Sequence, residues 1–218
     1  MKHLLKFAVF SCLLGTFILL DVPGTFAQGE HNRRLAANLL VLQADIKLLG
    51  DSEATELRQQ GLRLRVQEKL GMLELLVRYA DQESKHTSQK APVVFNNLLL
   101  FFKTGNFSQL NSGLENLISK YPLLLSPALQ TDSSQTIHKR AENIHKTLCL
   151  GCHSGALSNN ELPAFDLFRQ SRTMSRIEFV ARLITGLRGD QLTSLENPFP
   201  DADLAAMTSY YRTAVRGN

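Results

Sequence analysis

Apolar residues three or four positions apart recur through most of this chain, and this spacing limits the folds that it can adopt. One such stripe contains Leu35, Leu39, Leu42 and Ile46, and the same spacing recurs over 62–77 and 107–121. Apolar side chains at these intervals share one face of an α-helix, which must be buried against a neighbour. Alternating apolar and polar residues, the pattern of a half-buried strand, are absent. The sequence therefore predicts an all-α protein.

The predicted helices fall into two groups. The first group covers 35–49, 52–83, 93–102 and 107–121, and the second contains a helix leading into Cys149 and helices over about 164–171, 175–187 and from 201 onward. Asp51 or Ser52 is the expected cap of the second helix, and Gly61 and Gly71 could bend or interrupt this helix. The segment 93–95 would also suit the start of a strand. Four helices with short connections favour an up-down bundle over 28–125. The Ser-, Thr- and Pro-containing segment 126–134 is predicted to be a linker, and 135–218 a second helical unit.

The N-terminal 27 residues resemble a targeting segment rather than part of the fold. Lys2 and Lys6 precede an apolar run from 7 to 20, and a small-residue site ends at Ala27. This order is typical of a secretory signal peptide, and the run is shorter than the roughly 20 residues that span a bilayer. We therefore expect export, as in a periplasmic protein, with cleavage after Ala27. An uncleaved membrane anchor is the alternative, and no other run predicts a membrane span.

Charge and composition exclude some classes of function. The chain is 44% hydrophobic and 20% charged, as in a soluble globular protein. Its net charge is +4, or +3 once residues 1–27 are removed, and no run of basic residues indicates nucleic-acid binding. Removing the leader also removes Cys12, so Cys149 and Cys152 are the only cysteines of the mature chain.

The residues that point to a chemistry are Cys149, Cys152 and His153, which form the pentapeptide CxxCH. This pattern is typical of a c-type haem attachment site: each cysteine bonds one haem vinyl group, and the adjacent histidine is the proximal iron ligand. Three alternatives compete with one covalent haem c. A dithiol redox motif is usually near a βαβ pattern, and a zinc site needs further Cys or His ligands. A structural disulfide leaves the histidine unexplained.

The segments around the pentapeptide resemble the class I cytochrome c family over about residues 135–218. The segment 141–148 resembles the family's first helix, in which Ala141 would be the small residue that allows close packing on the last helix. The segment 204–211 resembles that last helix, with Tyr210 or Tyr211 as the packing aromatic. Leu162 and Pro163 resemble the loop whose backbone carbonyl orients the proximal histidine. The resemblance implies a helical haem domain that follows the N-terminal bundle.

The sixth iron ligand does not follow from this resemblance. The family takes a methionine from the loop before its last helix, whereas 186–200 contains neither Met nor His. Met174 is our first candidate for the distal ligand, although methionine more often fills a gap in a core. We expect Met207 to be part of the core and Asn197 to be a turn residue or a weak ligand. His145 is predicted to pack between helices and His138 to be exposed, whereas His31 and His86 belong to the N-terminal unit.

Two functions follow from these observations, beside a weaker third in which the N-terminal bundle is the functional part, as a partner-binding helical module. The first is a mono-haem electron carrier, not an enzyme, that works with redox partner proteins. The second is a haem-based sensor or peroxidase-like protein with an open distal site. The axial ligand and the polarity around it decide between them.

Overall fold

The computed structural model describes residues 28–50, 55–84, 91–130, 135–153, 164–186 and 199–214. The helices in this part of the chain are α1 (Glu30–Leu48), α2 (Glu56–Glu83), α3 (Ala91–Lys103), α4 (Phe107–Lys120), α5 (Pro127–Gln130), α6 (Gln135–Ile144), a π-helical turn (His145–Cys149), α7 (Leu150–His153), α8 (Leu167–Thr173), α9 (Arg176–Thr185) and α10 (Asp201–Thr213). No strand occurs among these residues, so the prediction of an all-α protein is confirmed for them.

Several predicted helix boundaries need correction. Helix α2 begins at Glu56, where the Thr55 side chain accepts a hydrogen bond from the Arg58 backbone N–H. The cap is therefore Thr55 rather than Asp51 or Ser52, which lie outside the described residues. The helix continues through Gly61 and Gly71 without interruption. Helix α3 includes 93–95, so the strand alternative for that segment is wrong.

Helices α1 to α4 share one hydrophobic core. The buried residues of this first core are Leu35, Leu39, Leu42 and Ile46 from α1; Val66, Leu70, Leu73, Val77 and Ala80 from α2; Phe95, Leu98 and Phe102 from α3; and Leu110, Leu114, Leu117 and Tyr121 from α4 and its end. The α1 and α2 stripes are those that the sequence predicts. Glu83, near the end of α2, accepts hydrogen bonds from the backbone N–H groups of His31 and Asn32, so α1 and α2 run antiparallel.

A second core lies around α9 and α10. Its buried residues are Ala36, Ala37 and Val41 from α1; Leu123 and Leu129; Ala141 from α6; Phe168 from α8; Phe179, Val180, Ala181 and Ile184 from α9; and Leu204, Ala205, Ala206, Met207 and Tyr211 from α10. Helix α1 therefore contributes one face to each core. The two-unit division with a linker at 126–134 stays a prediction, and residues 131–134 lie outside the described part of the chain.

A buried cluster of charges joins α1 and α2 to α9. The Asp45 carboxylate is fully buried and lies 2.7 Å from Nε of Arg65 and 3.1 Å from a guanidinium nitrogen of Arg182. Lys69 donates a hydrogen bond to Oδ1 of Asn38 at 2.7 Å. Its pKa is lowered to about 8, mainly because burial removes its ammonium group from water. The cluster links the helices of the first core to a helix of the second.

The predicted signal peptide, residues 1–27, lies outside the described residues, as do 187–198, which include Asn197. Within the residues that the structure describes, no helix has both the length and the apolar composition needed to cross a membrane.

Candidate functional site

The helix that leads into the pentapeptide continues through it. Helix α6 becomes a single π-helical turn at His145–Cys149, in which the Leu150 N–H bonds to the His145 carbonyl, and α7 carries the chain to His153. Single π-turns inside α-helices are frequent at functional sites. Residues three and four apart share a helix face, so Cys149, Cys152 and His153 lie along one side of this segment.

The two cysteines are free thiols in different surroundings. Cys149 is half-buried, and Cys152 is exposed. Burial raises the pKa of the Cys149 thiol, and a hydrogen bond with the Tyr211 hydroxyl opposes this rise. Both sulfur atoms are therefore available for covalent attachment, and burial makes the Cys149 proton harder to remove than that of a fully exposed thiol.

His153 is oriented by a backbone carbonyl. Its Nδ1 lies 2.6 Å from the carbonyl oxygen of Phe165. A carbonyl oxygen only accepts hydrogen bonds, so Nδ1 must carry a proton, and in the neutral imidazole Nε2 then has the lone pair. Metal-binding histidines are commonly held in this way, because the second hydrogen bond fixes both the tautomer and the ring orientation. The geometry therefore prepares Nε2 of His153 to bind a metal.

The carbonyl that orients His153 is not one of those expected. The resemblance pointed to Leu162 and Pro163, which lie outside the described residues, and the carbonyl observed belongs to Phe165. The Phe165 ring lies under the guanidinium group of Arg58, with 4.2 Å between the Arg58 Cζ and the ring centroid. Helix α2 therefore contacts the residue that holds His153. A carbonyl from the loop after the pentapeptide was the expectation, whereas the contact between Arg58 and Phe165 had no sequence signal because it joins segments distant in the chain.

The surface around the pentapeptide is apolar although it is open to solvent. Leu148, Leu150 and Phe165 expose 52%, 38% and 48% of their surfaces, respectively. Leu148 and Leu150 are two positions apart in this helical segment, so they lie on different faces of it, on either side of Cys149. A flat, mainly apolar cofactor bonded to the two cysteines is compatible with such surroundings.

Behind the pentapeptide, α6 packs on α10. Ala141 is fully buried at this contact, and Arg140 pairs with the Asp203 carboxylate, one of its two bonds measuring 2.9 Å. His145 is buried, and its Nδ1 lies 3.0 Å from the hydroxyl of Tyr211, which is also fully buried. The expected packing of Ala141, His145 and Tyr211 between the two helices is therefore present.

His138 differs from the prediction that it is exposed. Its Nε2 lies 3.0 Å from the Ser209 hydroxyl and 3.3 Å from that of Thr213, and the side chain is half-buried. Helix α10 covers it, which the sequence of α6 alone does not indicate. His31 stacks on Tyr79 within the N-terminal helices, with 5.2 Å between the ring centroids, and His86 lies outside the described residues.

The two methionines of the C-terminal part lie in different settings. Met207 is buried in the second core, as predicted. Met174 directly follows α8, is half-buried, and packs against the same core. The contact shows Met174 in the packing role weighed above, and its role as a distal iron ligand stays a prediction.

Among the described residues, no group of three or more His, Cys, Asp and Glu side chains is arranged to hold a metal ion. Comparison of the chain with protein-family models, with curated proteins and with solved structures finds no significant match.

Proposed function

We propose that this protein is an exported, mono-haem c-type cytochrome that transfers electrons to and from redox partner proteins. One haem would be bonded to Cys149 and Cys152, with His153 as its proximal iron ligand. The observation that carries the proposal is the hydrogen bond between Nδ1 of His153 and the Phe165 carbonyl, because it leaves Nε2 as the atom that can bind iron.

Three features of the chain's own residues suit this cofactor. The two thiols are free and lie on the same helix face as His153. Exposed apolar side chains are near the pentapeptide, with Leu148 and Leu150 flanking Cys149 in the sequence and Phe165 hydrogen-bonded to His153 through its carbonyl. When bound, a haem supplies an iron that changes between ferric and ferrous states at a potential set by its ligands and burial.

The competing interpretations of the pentapeptide have less support. A dithiol redox site would not require the fixed tautomer of His153. A zinc site would need two more ligands beside the cysteines, and the described residues bring no such group together. A structural disulfide leaves the oriented side chain of His153 unexplained.

A search for covalently bound haem in the exported protein tests this proposal. The full chain would be produced in a host that matures exported CxxCH proteins, and haem would be sought after denaturation and in the peptide spanning 149–153. We expect one haem per chain, which is lost when Cys149 and Cys152 are both replaced by Ala. His153→Ala should change the iron spectrum, whereas His138→Ala, a half-buried histidine on the same helical segment, should not. A mature chain without covalent haem would show that the proposal is wrong.

The second candidate is a sensor or peroxidase-like protein with an open sixth site. The packing of Met174 against the second core favours this function, because Met174 is the first candidate for the distal iron ligand and its side chain is already engaged in packing. The absorption spectrum of the reduced protein with and without carbon monoxide separates the two functions. A spectrum indifferent to carbon monoxide supports an internal ligand and electron transfer, and Met174→Ala would then open the site. A spectrum that shifts supports the sensor or enzyme.

A further inference from the structure

A hydrogen-bonded chain connects the sulfur of Cys149 to a buried histidine. The Tyr211 hydroxyl lies 3.0 Å from Nδ1 of His145 and also hydrogen-bonds to the Cys149 side chain. Tyr211 is fully buried and His145 nearly so. Water therefore has little access to the middle of this chain, and the Tyr211 hydroxyl is the group that connects its two ends.

The number of hydrogen atoms on these groups limits how protons can move along the hydrogen-bonded chain. The Tyr211 hydroxyl has one hydrogen, so it donates to only one of its two partners at a time. When it donates to the Cys149 sulfur it lowers the pKa of that thiol, and when it donates to Nδ1 of His145 its oxygen is left to accept a hydrogen bond from the Cys149 S–H. Moving both protons one step along the chain leaves a thiolate at Cys149 and a protonated His145, with Tyr211 unchanged.

The surroundings of the two thiols explain why Cys149 would need a nearby group to take up its proton and Cys152 would not. The Cys149 thiol is half-buried, so solvent water is poorly placed to take its proton. Cys152 is exposed, and water can reach it directly. Other ionisable groups near the chain are Tyr210, which acts on Tyr211, and Glu142 and Lys146, which pair with each other at the surface of α6 and the π-turn.

We propose that His145, acting through Tyr211, is the base that removes the Cys149 proton when this cysteine bonds to a haem vinyl group. The inference rests on the function proposed above. In the step, the S–H bond of Cys149 breaks and a bond forms from its sulfur to one vinyl carbon. The second vinyl carbon takes up one proton, returned from His145 or supplied by water. The C=C double bond becomes a single bond, and no oxidant or reductant is consumed.

The direct test uses the reduced, full mature apoprotein mixed with ferrous haem in the absence of oxygen. Thioether formation at each cysteine is followed by peptide mapping in the wild type, Tyr211→Phe and His145→Phe. Phe keeps an aromatic ring at both positions, and circular dichroism checks that the helices remain. We expect bonding at Cys149 to slow by about 100-fold in both variants, the lower end of what a positioned base contributes. Bonding at Cys152 should be unchanged, and Tyr210→Phe, which changes a half-buried neighbouring tyrosine, should behave as the wild type.

A second measurement needs no haem. Alkylation of the two thiols by iodoacetamide, followed site by site across pH, reports how readily each one loses its proton. Tyr211→Phe and His145→Phe should slow the alkylation of Cys149 and leave that of Cys152 unchanged. Equal rates in all proteins, or equal slowing at both cysteines, would overturn the relay. If the wild type takes up no haem, the proposed function is wrong, while the alkylation rates still decide whether the relay exists.

Discussion

At the scale of single residues, the most unusual feature is the buried charge cluster around Asp45. Its carboxylate contacts Arg65 and Arg182, and the half-buried Lys69 lies beside them. Charged groups in a protein interior are costly unless they are paired and hydrogen-bonded. The cluster consequently makes stability sensitive both to pH and to the loss of one carboxylate.

Lys69 makes the free energy of unfolding depend on pH in the alkaline range. Its pKa in the folded protein is about 8, against 10.5 in an exposed lysine. Between about pH 8 and pH 10 this lysine binds more protons in the unfolded chain, so it should raise the free energy of unfolding by about 1.4 kcal/mol per pH unit. Above about pH 10 the raised pKa of buried Tyr211 reverses the trend, because the unfolded tyrosine loses its proton first. Urea unfolding at several pH values measures how the free energy of unfolding depends on pH.

Lys69→Met should remove the rise between about pH 8 and pH 10, because the neutral side chain has no proton to lose. Lys103→Met, which changes an exposed lysine at the end of α3, is the control and should leave the rise in place. An unchanged slope in Lys69→Met would contradict the prediction.

Asp45→Asn should leave the guanidinium groups of Arg65 and Arg182 without a buried counter-charge. Breaking a buried ion pair in this way destabilises proteins by about 3–5 kcal/mol. Chemical denaturation measures the free energy of unfolding of Asp45→Asn and of a control, Glu74→Gln. The Glu74 carboxylate pairs with Arg78 in a more exposed position. The second variant should lose less than about 1 kcal/mol. Similar losses in the two variants would argue against the buried cluster.

At the scale of helices, the contact between α6 and α10 positions the pentapeptide. A helix leading into Cys149 follows from the sequence, because its apolar and small residues recur at helical spacing. The π-helical turn at His145–Cys149 does not, and in the structure the first and last residues of this turn both interact with Tyr211 on α10. Local patterns in the chain carry no information about that partner.

Ala141→Leu tests this contact. The Ala141 side chain is fully buried where α6 meets α10, so a larger side chain has no space without a shift of the helices. Overpacking of this kind costs about 1–3 kcal/mol. Asn143→Leu, at an exposed position of the same helix, is the matched control and should change stability little. Thermal unfolding followed by circular dichroism compares them, and equal melting temperatures would mean that the contact is loose.

At the scale of the whole molecule, α1 is shared between the two cores. Leu35, Leu39 and Leu42 belong to the first core, whereas Ala36, Ala37 and Val41 belong to the second. The Arg58–Phe165 contact and the Asp45–Arg182 ion pair join the same two regions. These contacts give the N-terminal helices a role in supporting the segment that holds His153.

A fragment containing residues 135–218 alone should therefore fold poorly. Without α1, the buried faces of Phe179, Val180 and Ile184 lose part of their cover and expose apolar surface to water. We expect a low-cooperativity thermal transition and binding of a hydrophobic dye, whereas the chain from residue 28 to the end should unfold cooperatively. A fragment that melts as sharply as the full mature chain would show that 135–218 is an independent domain.

The sequence alone determined the helical class, most of the helices, the buried stripes of α1 and α2, and the candidate site at Cys149, Cys152 and His153. These features depend on residue spacing along the chain, and spacing is what a sequence records directly. Only the tertiary structure decided that α1 serves two cores, that the Phe165 carbonyl orients His153, and that Tyr211 joins His145 to Cys149. Each of these contacts joins residues far apart in sequence or opposite faces of one helix, so each is set by packing of the whole chain rather than by a local pattern.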